Sequence, residues 1–160
     1  MNKYKKVMLI YGGISSEREI SIISSKGIND SLIRNNYEVI KIDADEDLEL
    51  QIKKHNPDVI FNALHGTWGE DGKVQKIIEL TNVPYTNSGI RASELAMDKH
   101  KSSEIFTKIN LNYPNTILSS LKSIKDENLM DYPYVLKPRN EGSSVGVGII
   151  KNENDKKKYV

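Results

Sequence analysis

The sequence predicts an α/β fold: a parallel sheet with helices on both faces, followed by a smaller second unit. Short apolar runs at residues 6–11, 39–43 and 59–64 are each followed by a segment with helical character, and strands that alternate with helices pair in parallel. Glycine-rich segments close the first and third runs, which puts adaptable backbone at one edge of the sheet. After about residue 98 the alternation gives way to a hairpin pattern. The predicted division is therefore 1–97, an α/β domain, and 98–160, the start of another.

Composition agrees with this scale and narrows the function. The chain has 160 residues, room for one full domain and part of a second. With 38% hydrophobic and 28% charged residues it can bury a core and lacks the charge excess of a disordered chain. Its 23 basic and 22 acidic residues leave a net charge of +1, so no global field draws it to nucleic acid or an anionic membrane. Neither is expected as a partner. Cysteine is absent, which removes disulfides, thiolate nucleophiles and cysteine-bound metals together. His55, His65 and His100 are too scattered to suggest a zinc site. The start, Met1 to Lys6, is basic, but the apolar run Val7 to Tyr11 is too short for a signal peptide or a membrane span. A cytoplasmic location is expected.

In chain order, Lys6 to Tyr11 reads as a buried strand running into the pair Gly12-Gly13. Ser16 and Glu19 match a capping box opening a helix to about Asn35, with Ile20, Ile23, Ser24, Gly27, Ile28 and Ser31 at helical spacing. Val39 to Asp43 is a second strand, Leu48 to His55 a second helix and Val59 to Leu64 a third strand. A helix over Val74 to Leu80 and a short strand over Pro84 to Thr86 follow. A further helix begins at Ala92 or Asp98 and runs to Ile109. Thr116 to Leu118, Tyr134 to Lys137 and Val145 to Lys151 are predicted strands, the last two pairing across a Gly-Ser loop. Asn152 is an N-cap candidate for a helix through the last residues, and a chain ending inside a helix suggests truncation.

Three segments could carry chemistry. In an open parallel sheet, ligands bind beyond the carboxyl ends of the strands. The turn Gly12-Gly13-Ile14-Ser15-Ser16-Glu17 lies at such a place but lacks the G-x-G-x-x-G spacing for a dinucleotide. Glu17 can hold an ammonium group there, or it can simply complement the helix dipole. His65-Gly66-Thr67-Trp68-Gly69-Glu70-Asp71-Gly72 follows the third strand; its His can face the cleft or cap its own loop, and Glu70 and Asp71 suit a first helical turn. Lys137-Pro138-Arg139-Asn140-Glu141-Gly142-Ser143-Ser144 leads into a strand, so it is no Walker loop. It is either a flap with a phosphate-pairing lysine or an ordinary hairpin.

Together, the segments from Gly12 to Ser21 and from Leu64 to Gly72, Pro84 to Gly89, Ala96-Met97-Asp98-Lys99, and Lys137-Pro138 with Glu141 to Gly146 closely resemble the D-alanine–D-alanine ligase family in order and spacing. The resemblance covers the chain from end to end. It implies a Rossmann-like pre-ATP-grasp domain followed by an incomplete ATP-grasp central domain. It also implies an ATP-dependent enzyme that phosphorylates one D-alanine and lets the amine of a second attack the acyl phosphate, for peptidoglycan. By resemblance Glu17 and Ser143 are catalytic, and Glu17, His65 and Ser143 bind substrate. Lys99, Lys137, Glu141, Gly142, Ser143 and Ser144 contact ATP, the lysines offsetting phosphoryl charge.

The resemblance further implies a homodimer formed through the first domain, and two Mg2+ or Mn2+ ions whose ligands lie beyond Val160. The mobile loop with its tyrosine and the phosphoryl-binding arginine of the family are also not matched. Without the two metals the isolated chain is expected to be inactive. A non-catalytic module that binds D-alanine or nucleotide and acts with another chain is the alternative. A redox domain is disfavoured by the missing glycine fingerprint.

Overall fold

The structure, a computed structural model, describes residues 4–160. The basic stretch Met1–Lys3 lies outside them. Two compact units divide the chain, one ending at Ala96 and the other beginning at Met97.

The first unit is built on β1 (Lys6–Tyr11), α1 (Arg18–Arg34), β2 (Glu38–Asp43), α2 (Leu48–His55), β3 (Val59–Asn62), α3 (Lys73–Glu79) and α4 (Ile90–Met97). Strand order is β2-β1-β3, all parallel. Val7 of β1 faces Val39 on one side and Val59 on the other. β1 carries an apolar run because it is central: Val7, Met8, Leu9 and Ile10 are all buried, as expected of a strand covered on both faces. Crossovers from β1 to β2 and from β2 back past β1 to β3 run in opposite directions. Right-handed connections therefore place α1 and α2 on opposite faces. Met8 and Ile10 pack with Leu48 and Ile52 of α2 and with Val74 and Ile78 of α3. Alternation along the strand turns Leu9 the other way, on the side of the helix that packs on β1 and β2, α1.

Several expectations need correction. The capping box does not form: Glu17, one residue later than predicted, occupies the N-cap position of α1 with no side-chain cap bond, and its own N–H goes to the Ser15 hydroxyl at 3.1 Å. The residues that α1 buries are Ser21 and Ser25, whereas Ile20 and Ile23 stay 50% and 61% exposed. Small side chains let the helix approach the sheet, and the isoleucines fall on the outer face. Residues Pro84–Thr86 make no full strand; Tyr85 forms a single parallel pairing with Ile60, since Pro84 has no N–H to extend a ladder.

The second unit holds α5 (Lys99–Lys108), α6 (Leu121–Asp126), β4 (Tyr134–Leu136), β5 (Gly148–Ile150) and α7 (Glu153–Tyr159). Asp98 breaks the predicted helix into α4 and α5 because it caps the second, accepting from the N–H groups of His100 and Lys101. β4 and β5 are antiparallel, Tyr134 opposite Ile150 and Leu136 opposite Gly148. Thr116–Leu118 has no partner strand and stays irregular, with Ile117 and Leu118 about half exposed. The predicted cap of the last helix is correct: Asn152 Oδ1 accepts from Asn154 and Asp155. Tyr159 lies over Gly148, which has no side chain to obstruct the ring.

Candidate active site

Because the chain leaves β1 toward one side and arrives at β3 on the other, the carboxyl ends of these two strands flank a topological switch point, where open α/β sheets bind ligands. Both Gly12 and Gly13 take positive φ, +73° and +78°, a conformation that glycine adopts at little cost. The turn returns at once toward the sheet. Gly12 N donates to Ser21 Oγ at 2.8 Å, and Ser21 Oγ donates to the carbonyl of Ala63 at 2.7 Å. One fully buried hydroxyl thus ties the end of β1 to the segment following β3.

Ser15 makes a parallel link one layer out. Its hydroxyl donates to the His65 carbonyl at 2.7 Å and accepts the Glu17 N–H. Glu17 is 6% exposed, and its carboxylate lies directly against Gly66, a residue with φ of +71°. Low surrounding polarity strengthens the attraction of such a carboxylate for a cation.

His65 makes one side-chain hydrogen bond through its ring and has a carboxylate at longer range on the other nitrogen. Ser24 Oγ lies 3.1 Å from Nε2, and Glu70 Oε1 lies 3.8 Å from Nδ1. Glu70 does not serve the first turn of α3, as its position suggested; its other oxygen accepts the Gly66 N–H at 2.8 Å. Asp71 accepts the Lys73 N–H. Asn62 fixes the base of the loop, donating to the Gly69 carbonyl and accepting from Leu64 N, each at 3.0 Å.

The remaining predicted residues lie in the second unit. Lys99 is the first residue of α5, and Lys137 directly follows β4. Burial, and then the nearby positive charge of Lys137, holds the Lys99 amine below the usual lysine range. Lys99 Nζ donates to the Glu141 carbonyl and, at 3.4 Å, to that of Arg139. Asp98 accepts from Arg139 Nε at 2.8 Å and from Nη2 at 2.6 Å. That guanidinium bond brings the Asp98 carboxyl to a pKa of about 2, with burial opposing and the Lys101 and His100 amides helping. The loop folds as two successive turns, Val145 N donating to the Gly142 carbonyl and Val147 N to that of Ser144. Ser143 and Ser144 both adopt positive φ, 46° and 63°. Pro138 packs against Gly146. Glu17 and Ser143, paired by the sequence resemblance, belong to different units.

Residues 43–88 match the family model described as "D-ala D-ala ligase N-terminus". The D-alanine–D-alanine ligase of Parvibaculum lavamentivorans is 46% identical over 151 residues, covering 94% of this chain and 49% of that protein. Over most of its length the chain is similar to the D-alanine–D-alanine ligases. The solved D-alanine–D-alanine ligase of Bacillus anthracis matches with 34% identity and a TM-score of 0.78, over 94% of this chain and 51% of that one. The same enzyme complexed with ATP gives 29% identity and a TM-score of 0.73, over 94% and 52%. This ligase relative thus spans about half the length of the curated relatives it matches, and corresponds to their amino-terminal portion.

Sequence reasoning assigned no contacts to the hydroxyls of α1 that face the sheet and the His65 loop. Ser21, Ser24 and Ser25 stand at i, i+3 and i+4 on α1, and that spacing was the available signal. Nor did it assign roles to Asp98 and Arg139, which are 41 residues apart. Among the described residues no group of three or more His, Cys, Asp or Glu side chains is placed to hold a metal ion, and no helix is long and apolar enough to cross a membrane.

Proposed function

We propose that this chain provides the amino-binding and phosphate-binding part of an ATP-dependent ligase that joins two D-alanine molecules through an acyl phosphate. The observation that carries this is the buried Glu17 carboxylate at the switch point, between the Gly12-Gly13 turn and Gly66. Glu17 accepts hydrogen bonds from the ammonium of the first D-alanine, and His65, held by Ser24 and Glu70, stands at the same strand ends. In the second unit, Lys99 and Lys137 place two positive charges together, which suits the phosphates of ATP and offsets charge that develops as a phosphoryl group moves to the substrate carboxylate. Glu141, Gly142, Ser143 and Ser144 form the loop that covers those phosphates, with Ser143 also orienting substrate. The first unit is the substrate-binding domain and the second the beginning of an ATP-grasp domain.

The second D-alanine attacks the acyl phosphate through its amine, forming the peptide bond and releasing phosphate. The ligands of the metal ions that this chemistry employs are assigned, by the resemblance, to the half of the relatives that the chain does not cover. On the same reading the protein is a cytoplasmic homodimer joined through its first unit.

The test is a chimera joining these residues to the remaining half of the Parvibaculum enzyme. It is expected to form D-alanyl-D-alanine from D-alanine, ATP and magnesium, and Glu17→Gln to lose at least about 100-fold in rate, as when one charge-stabilising group is removed from an active site. A folded chimera whose turnover survives Glu17→Gln would sink the assignment of Glu17. Calorimetry of D-alanine against the chain alone separates the alternative, since a self-sufficient binding module retains affinity that Glu17→Gln abolishes.

A further inference from the structure

We propose that Asp98 and Arg139 form a clamp that positions Lys99, holding its ammonium beside that of Lys137. The clamp rests on the reading of these lysines as a phosphate site, but its geometry is its own. Asp98 is a buried carboxylate with two tasks. Oδ1 caps α5, accepting from His100 N and Lys101 N at 3.1 Å each. Both oxygens also take the Arg139 guanidinium side-on, a planar two-point grip that a lysine cannot reproduce. The connection continues along the backbone, because Lys99 N donates to the Arg139 carbonyl at 3.1 Å. The start of α5 and the segment after β4 are therefore joined by side chain and main chain together.

The reason a clamp is needed lies in the charges. The hydrogen bonds of Lys99 Nζ go to the carbonyls of Arg139 and Glu141, which are neutral groups. Lys137 repels it, while Glu141 and Asp98 attract it more weakly than burial and Lys137 act against its charge. Like charges repel, so Lys99, half-buried while Lys137 is exposed, does not stay in place unaided. The Asp98–Arg139 pair holds the backbone on which both are mounted, Lys99 directly after Asp98 and Lys137 two residues before Arg139. With the clamp closed, the lysines are set in advance for an anion with adjacent charged oxygens, and little ordering remains to oppose binding. Asp98 and Arg139 are positioning residues, since each acts through the backbone that carries Lys99 and Lys137.

Competitive acylation of the chain with trace acetic anhydride, read lysine by lysine by mass spectrometry near pH 8, tests this. An amine held below the usual lysine range reacts faster than an exposed one, so Lys99 is expected to outpace Lys53. In Arg139→Met that advantage is expected to vanish while Lys53 and Lys73 of the first unit react as before. Asp98→Asn gives the decisive variant, because asparagine remains a good N-cap but loses the charge that grips Arg139; losing that carboxylate would by itself make the Lys99 amine more reactive, so the expected return of Lys99 to the rate of Lys53 can come only from release of the clamp. If Asp98→Asn, with unchanged circular dichroism, leaves Lys99 as reactive as before or more so, the clamp is overturned and Asp98 is a helix cap alone. Adding ATP examines the underlying reading separately: protection of Lys99 in the unsubstituted chain supports a phosphate site, and absence of protection removes that site whatever the clamp does.

Discussion

A β-carbon built on Gly66 would lie 2.7 Å from Glu17 Oε1, so the loop after β3 approaches the Glu17 carboxylate as closely as backbone can. Gly66→Ala therefore combines two costs. Its φ of +71° penalises an L side chain by about 1–2 kcal/mol, and the new methyl displaces Glu17. Urea unfolding is expected to show a loss of at least that size. A variant of unchanged stability would show that the contact is not a constraint.

Ser21 offers a separate test of the switch point. Ser21→Ala leaves Gly12 N and the Ala63 carbonyl without the hydroxyl that serves them. A buried polar group without its partner costs about 1–3 kcal/mol, so unfolding is expected to shift by that much. Ser16→Ala, at the position where the capping box does not form, is expected to change stability by under about 0.5 kcal/mol.

Ser24 acts on His65 rather than on the fold. Removing its hydroxyl frees Nε2 of a ring that Glu70 still approaches at Nδ1. Ser24→Ala is expected to shift the His65 ring nitrogen resonances while changing stability by no more than about 1 kcal/mol, the worth of a single neutral hydrogen bond. Unaltered resonances would mean that the serine does not hold the ring.

Asp98 should dominate the acid response of the second unit. Its folded pKa of about 2 lies below the roughly 3.9 of an unfolded aspartate. The unfolded form thus takes up its proton first as pH falls. The contribution is fully present above about pH 4 and is lost as pH drops toward the folded value. Stability followed from pH 5 to pH 2 should fall more steeply for the unsubstituted chain than for Asp98→Asn. Parallel curves would contradict the assignment.

Most of the regular structure could be read in the chain because local signals agreed with tertiary demands. The apolar run of β1 and the Asn152 cap each depend on neighbours within a few residues. Failures occurred where distant groups compete. Ser15 takes the Glu17 N–H because it also reaches the His65 carbonyl, 50 residues on, and no local rule for Ser16 and Glu19 contains that partner. Thr116–Leu118 has strand character but no strand to pair with, and a strand without a ladder is only a propensity.

Sequence alone determined the α/β class, the placing of Glu17 and His65 at the ends of β1 and β3, and the kinship with the ligases through the order of their motifs. These depend on residue type and spacing, which folding does not alter. Only the tertiary structure decided that the serines of α1 face the sheet, that Glu70 serves Gly66 and that Asp98 grips Arg139. A hydrogen bond is worth making where burial removes water as the competing partner, and which groups are buried together is settled by the packing of segments far apart in the chain.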